Sequence, residues 1–146
     1  TKVTFIDLRP HNIPIDNLDT KVGDILSIPY DNETVEFLTS LSVIEHIGLG
    51  RYGDKIDLQG MQKSINEFHR VLKVNGTLLV SFPIGSSNNI EFNAHRRFSP
   101  EKIYEMFNKF KIQDEIYILK NEIIDIERFN KMGKPNGYAC FNFTKK

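Results

Sequence analysis

Glu45 and His46 stand side by side in the run SLSVIEHIGLGRYGD, with Gly48, Gly50 and Gly53, Arg51 and Tyr52 close behind. An imidazole titrates near neutrality and can take a proton from a hydroxyl or amine, and a neighbouring carboxylate raises its basicity. Consecutive side chains seldom face the same way, so one of the pair is expected to point into the structure. The glycines could shape a backbone nest for an anion, with Arg51 adding a planar fork for phosphate or carboxylate. A glycine-permitted surface loop is the plainer alternative. The run lacks the lysine-serine ending of a P-loop and does not open directly onto a helix. A second cluster, His95, Arg96 and Arg97, lies in PIGSSNNIEFNAHRRFSP. These side chains could read an acidic or hydroxylated substrate, or they could brace their loop.

Two carboxylates lie earlier in the chain. Asp7 ends the strand-like run TFID and could accept both hydroxyls of a ribose, or cap the turn before Pro10. Asp24, in GDI, could accept from an exocyclic amine where Gly23 lets the backbone approach a flat ring, or lie in a plain exposed turn. His11 and His69 suggest no role. No histidine, cysteine or carboxylate spacing resembles a metal site, and no G-x-S-x-G elbow occurs.

These residues need strands and helices to hold them. KVTFIDLRP reads as a short buried strand from Val3 to Ile6, and an extended piece is expected near Val22 to Ile25. VEFLTSLSV has β-branched, apolar character without helical period, which predicts a buried central strand ending near Val43. MQKSINEFHRVLK places Met61, Ile65, Phe68 and Leu72 on one helical face, with Asn75-Gly76 as the expected stop. GTLLVSFPIG reads as another buried strand. Ser99, Pro100 and Glu101 open a capped helix carrying Ile103, Met106, Phe107 and Phe110. The runs Asp114 to Ile126 and Gly137 to Lys145 are expected to pair antiparallel. Strands alternating with helical patterns predict one α/β domain spanning residues 1–146, with a mostly parallel sheet, an antiparallel terminal strand and helices on both faces. Ligands in such sheets collect at the carboxyl ends of the strands.

Composition narrows the partners. The 146 residues are 40% hydrophobic and 26% charged, with 19 basic and 19 acidic residues, so no overall field favours nucleic acid or an anionic membrane. No apolar run approaches the roughly 20 residues of a membrane span, and no signal-peptide pattern opens the chain. One cysteine, Cys140, cannot form an internal disulfide, which fits a cytoplasmic setting. The oligomeric state is not legible.

Taken in order, TFIDLRP, VGDILSIPY, VEFLTSLSVIEHI, INEFHRVLKVNGTLLVSFPIG and AHRRFSPEKIYEMF resemble the S-adenosylmethionine-dependent methyltransferases of the Rossmann-like class. SLSVIEHIGLGRYGD with FNAHRRFSP is similar, more closely, to a little-characterised methyltransferase-like domain of unknown function. The resemblance implies that Asp7 binds the ribose of S-adenosylmethionine, and that Asp24 contacts adenine with Ile25 packed on the ring. It implies that Ser40, Leu41 and Ser42 face the methionine part. Glu45, His46 and His95 become the catalytic candidates, and Arg51, Tyr52 and Arg96 the substrate-binding ones, for a small-molecule or sugar acceptor. The family's first strand and glycine-rich turn have no counterpart here, which suggests a fragment of a longer chain or a loss of cofactor binding. As it stands, the sheet is expected to have a gap between the strands ending at Asp7 and at Ser40. The rival readings are a non-catalytic binding module and a nicotinamide-dependent oxidoreductase.

Overall fold

The computed structural model describes residues 2–10, 14–92 and 94–146; His11 lies outside them. The chain runs β1 (Val3–Asp7), β2 (Leu18–Val22), β3 (Val35–Leu41), α1 (Gly60–Val71), β4 (Leu72–Ile84), β5 (Asn89–Ile90) and β6 (Arg96–Arg97). It continues through α2 (Pro100–Met106), β7 (Phe110–Leu119), β8 (Glu122–Ile124), α3 (Ile126–Lys131) and β9 (Gly137–Lys145). The second extended piece is therefore Leu18–Val22, not Val22 to Ile25. Its boundary shifts because Gly23-Asp24 already turns the chain through the Asp24–Ser27 bridge.

A five-stranded sheet in the order β3-β4-β9-β7-β8 forms the body of the α/β fold. β3 and β4 pair parallel, and β9 inserts antiparallel between β4 and β7, so β3, β4 and β7 share one direction. The long run after Asp114 does not form one strand. It divides into the β7–β8 hairpin and then α3, where the Asp125 side chain accepts the Arg128 amide as N-cap.

α1 also ends earlier than its stop signal. Val71 is its last helical residue and Leu72 is already extended, while Asn75 adopts a positive φ inside an irregularity at the start of β4. Asn75-Gly76 thus turns the strand rather than closing the helix. α2 opens as the sequence predicts, with the Ser99 hydroxyl accepting the Lys102 amide.

Side chains paired across a ladder point to one side of the sheet. On the first side lie Leu38, Leu78, Val80, Phe82, Phe141 and Phe143, and all three helices pack there. Met61, Ile65 and Phe68 of α1 join that buried cluster. Phe107, which caps α2, stacks on Phe143 at 4.7 Å, and Phe129 of α3 stacks on Tyr117 at 4.6 Å. Helices are expected on both faces, but those described cover only this one. The second side, with Phe37, Leu41 and Tyr138, remains partly open.

β1 and β2 form a separate parallel pair, and no described strand lies between β1 and β3. The two strands read as buried therefore are not. Val3 and Phe5 of β1, and Phe37 and Leu41 of β3, are about half exposed, and β3 is an edge strand instead of a central one. Apolar alternation reports what a strand can bury, whereas a neighbouring element decides whether it does. Phe37→Ser is accordingly expected to change stability by no more than about 0.5 kcal/mol in a denaturant melt. A loss of about 2 kcal/mol, the worth of a buried phenylalanine, would show that this face is covered.

Candidate functional site

The loop after β3 is held by its own hydrogen bonds. Ile44 is fully buried and anchors a turn in which the amides of His46, Ile47 and Leu49 donate to the carbonyls of Val43, Ile44 and His46. Asp54 then folds back into the glycine segment. Its Oδ2 accepts the amides of Gly48 at 2.8 Å and Gly50 at 3.3 Å, and its Oδ1 accepts the amide of Tyr52 at 3.2 Å. Partial burial works to raise the Asp54 carboxyl, but these amides outweigh it and hold it below its ordinary range. The expected anion nest exists, and the chain's own carboxylate fills it. Sequence reasoning missed Asp54; an aspartate just beyond three closely spaced glycines is the signal that could have found it.

The Ala94 carbonyl is one of the latches between this loop and the β5–β6 hairpin. Ala94 O lies 3.0 Å from His46 Nδ1 and accepts Arg51 Nη1 at 2.7 Å. A carbonyl can only accept, so Nδ1 carries the proton and Nε2 is the basic nitrogen of the neutral ring. The His46 ring meets Tyr52 edge-on at 5.5 Å and His95 at 6.0 Å, and the Arg51 guanidinium lies 5.3 Å from the Tyr52 ring centre. Arg9, after β1, reaches across to the Tyr52 carbonyl at 3.2 Å. Tertiary folding therefore gathers His46, His95, Arg51 and Tyr52 at one place.

Of the adjacent pair, Glu45 is the side chain that points inward. It is 1% exposed, and its Oε2 has no partner among the described residues. Its Oε1 lies 3.9 Å from His46 Nε2. Burial pushes the carboxyl up to about 7. His95 is held below the usual histidine range, first by burial and then by the positive fields of His46, Arg97 and Arg51. The site thus combines a protonatable buried acid, a tautomer-fixed imidazole and a second, largely neutral imidazole.

Arg96 does not face this cluster as a reader of substrate. Its guanidinium is buried and donates to the carbonyls of Ile47 at 2.6 Å and Glu45 at 3.4 Å. It braces the loop after β3, because backbone carbonyls left bare by that tight turn need a buried donor. Arg97 pairs with Glu91 at 2.8 Å.

The residues assigned to a cofactor lie along the same kind of strand end. Asp7 is paired with Val22 in the parallel ladder, so Asp7 and Asp24 stand at one end of the β1–β2 pair. Asp7 is exposed and its Oδ1 accepts the Arg9 amide, while Asp24 Oδ1 accepts the Leu26 amide. Ile25 is partly buried against the core. Gly23 serves packing more than ligand approach, since a Cβ there would lie 2.6 Å from Ile6. At the end of β3, Ser40 is buried with no partner for its hydroxyl among the described residues, Leu41 is exposed, and Ser42 adopts a positive φ with its hydroxyl 3.3 Å from that of Ser81. A carboxylate for a diol, an acid beside an apolar residue, and an unsatisfied serine fit the parts of a nucleoside-bearing cofactor. Among the described residues no cluster of His, Cys, Asp or Glu is placed to hold a metal ion.

Comparison with solved structures gives this architecture its class, the Rossmann-like methyltransferase fold. The 1,6-didemethyltoxoflavin-N1-methyltransferase of Burkholderia thailandensis, solved with 1,6-didemethyltoxoflavin and S-adenosylhomocysteine bound, superposes with a TM-score of 0.68. It is 14% identical over 99% of this chain and 61% of its own. A SAM-dependent methyltransferase from Methanosarcina mazei gives a TM-score of 0.65 at 14% identity, covering 99% of this chain and 82% of its own. The [4+2]-cyclase SpnF gives 0.63 at 15% identity over 88% of this chain; the chain spans only 56% of the cyclase. Such identities establish the fold alone, and a cyclase among these structures shows that the fold does not fix the reaction. The chain belongs to the family described as "Caenorhabditis protein of unknown function, DUF268", whose model matches residues 25–136. No curated protein sequence matches it.

Proposed function

We infer that the protein acts in S-adenosylmethionine-dependent methyl transfer to a small-molecule or glycan-type acceptor. The observation that carries this reading is the convergence of His46, His95, Arg51 and Tyr52 at the carboxyl end of β3, with Glu45 buried behind His46. When bound, the cofactor supplies an electrophilic methyl group on a sulfonium. Asp7 would hold the ribose hydroxyls, Asp24 and Ile25 the adenine, and Ser40, Leu41 and Ser42 the methionine part.

On the acceptor side, Arg51 and Tyr52 orient the molecule, and His46 takes its proton at Nε2. Glu45, 3.9 Å away with a carboxyl near neutrality, can share that proton. His95 stands as the second base. Orientation and exclusion of water would supply most of the rate, because methyl transfer needs only an in-line nucleophile.

The separation of β1–β2 and β3 into different sheets supports a further part of the reading: chain outside these residues supplies the strand and glycine turn that hold the methionine part. Residues 1–146 alone are then expected to bind S-adenosylhomocysteine no tighter than about millimolar. A few net hydrogen bonds of about 0.5–3 kcal/mol each barely offset the freedom lost on binding. Calorimetric titration of this chain, and of any natural form carrying residues ahead of Thr1, tests this. In the longer form, Asp7→Ala should weaken binding about tenfold to a hundredfold while leaving the melting temperature unchanged. Micromolar binding by the short chain would remove the need for the extra strand. Silence from the longer form would favour a non-catalytic module, the reading that the open sheet edge supports in second place.

A further inference from the structure

Three Asn-x-Thr triplets stand in the chain: Asn32-Glu33-Thr34, Asn75-Gly76-Thr77 and Asn142-Phe143-Thr144. None has proline in the middle, so each matches the acceptor pattern for an asparagine-linked glycan. Three of the seven threonines thus stand two residues after an asparagine, where 13 asparagines in 146 residues would put fewer than one by chance. The fold then brings all three triplets to one edge of the sheet. β3 and β4 run parallel, and Asn32 and Asn75 lie at their amino ends. β9 runs the other way, so its last residues return to the same edge, and Thr144 pairs directly with Thr77. The candidate site lies past the opposite end of β3, a strand of seven residues and about 23 Å.

Two of the three asparagines sit in exposed turns. Asn32 and Glu33 form the turn into β3, and Asn32, Glu33 and Thr34 are all exposed. Arg70 of α1 fixes this turn. Its carbonyl accepts the Glu33 amide at 2.9 Å, and its Nη1 donates to Asn32 Oδ1 at 3.0 Å. A guanidinium can only donate, so Oδ1 faces Arg70 and Nδ2 points away from it. An open recess lined by Ile28, Pro29, Tyr30, Asp31 and Thr34 adjoins the turn and leaves room for a sugar. Asn75 is also exposed, with a φ of +63°, at the irregularity where β4 bends beside β3. Asn142 differs. β9 is paired along both edges, Phe143 is fully buried, and Asn142 Oδ1 is itself buried. A bulky, hydrated oligosaccharide needs the surface that the two turns offer and this strand does not.

We propose that Asn32 and Asn75 are sites of asparagine-linked glycosylation, and that the protein therefore passes through the lumen of the secretory pathway. In the transfer, the side-chain Nδ2 bonds to the anomeric carbon of an oligosaccharide carried on a lipid diphosphate. The bond from that carbon to the diphosphate oxygen breaks, and the lipid diphosphate leaves with the electron pair. Nδ2 gives up one proton to the leaving diphosphate or to solvent. The amide keeps its oxygen, so the contact between Asn32 Oδ1 and Arg70 survives. Both glycans stand at the edge opposite His46 and leave the candidate site open. The single cysteine demands neither compartment, since one thiol forms no internal disulfide in either. This inference does not rest on methyl transfer, and glycan mapping reads it without cofactor or acceptor.

The test is peptide mass spectrometry of the natural full-length protein, purified from its own cells and treated with peptide-N-glycosidase. That enzyme turns a glycosylated asparagine into aspartate, so conversion is expected at Asn32 and Asn75, with Asn142 unchanged. Untreated protein controls for spontaneous deamidation at Asn75-Gly76. In the same cells, Asn32→Gln and Asn75→Gln should each remove one glycan's step in gel mobility, and the double variant both steps. Asn142→Gln should leave the mobility unchanged. Native protein without a glycan at Asn32 or at Asn75 would overturn the proposal. A glycan at Asn142 would overturn it too, because exposure in the fold would then not select the sites.

Discussion

Gly48→Ala is expected to destabilise the protein by about 3 kcal/mol or more and to release the loop that carries the candidate site. Gly48 has a φ of +76°, where an L side chain costs about 1–2 kcal/mol. A Cβ there would also lie 2.0 Å from the Asp57 carbonyl oxygen, a backbone atom that cannot rotate away. Relieving that overlap adds about 1–3 kcal/mol. The displaced segment includes the Gly48 amide bound to Asp54 and the Gly48 carbonyl that accepts the Asp57 amide at 3.0 Å. Arg51 and His46 would then lose their common anchor at Ala94. Gly53→Ala is the control. Its φ is +84°, but among the described residues no atom beyond its chain neighbours lies within 4 Å of a Cβ, so only the conformational cost of about 1–2 kcal/mol should appear. Denaturant melts of the two variants, with hydrogen exchange over residues 44–58, provide the measurement. Equal losses in both would show that the Asp57 contact places no constraint on the loop.

Stability should fall as pH rises through neutrality, and Glu45→Gln should abolish most of that fall. An acid whose pKa is higher in the folded state binds its proton more tightly there. Stability from this group is therefore fully present below the ordinary value of 4.5, is lost as pH rises through about 7, and stays lost above it. The difference between those values corresponds to about 3 kcal/mol at alkaline pH. Burial is the physical cause, since no hydrogen-bond donor among the described residues reaches Oε2 to stabilise its charge. Glutamine has nearly the same shape and no charge. Urea melts at pH 5 and pH 8 should thus show the variant gaining on the parent only at the higher pH. A difference that stays constant across this range would mean that burial does not hold the Glu45 proton and that the carboxyl is ionised throughout.

Local pattern was enough to reveal α1 and α2, but not α3, which begins where a strand was expected to end. The apolar spacing of Met61, Ile65 and Phe68 and the Ser99-Pro100 cap encode α1 and α2 within a few residues, because both signals act over one or two turns. The strand period of Gly137 to Lys145 and its antiparallel pairing were equally legible. Asp7 and Asp24 could be referred to one strand end because parallel strands must deliver their carboxyl termini to the same edge. The sequence likewise led to the expectation that one member of Glu45-His46 turns inward, as Glu45 does.

Only the tertiary structure decided which one. Glu45 is buried because Arg96, from a hairpin about fifty residues later, fastens the Glu45 and Ile47 carbonyls and sets the path of the backbone. The same long-range contact removes Arg96 from the substrate-facing candidates, and Ala94 joins Arg51 to His46 across a similar separation. Asp54 claims the glycine amides that would otherwise await an external anion. Exposure followed the same rule. Val3, Phe5, Phe37 and Leu41 alternate as buried strand residues do, yet their burial depends on a neighbouring element that none of the described residues supplies. Periodicity is written in adjacent residues, whereas partners for carbonyls, carboxylates and sheet edges come from residues distant in the chain.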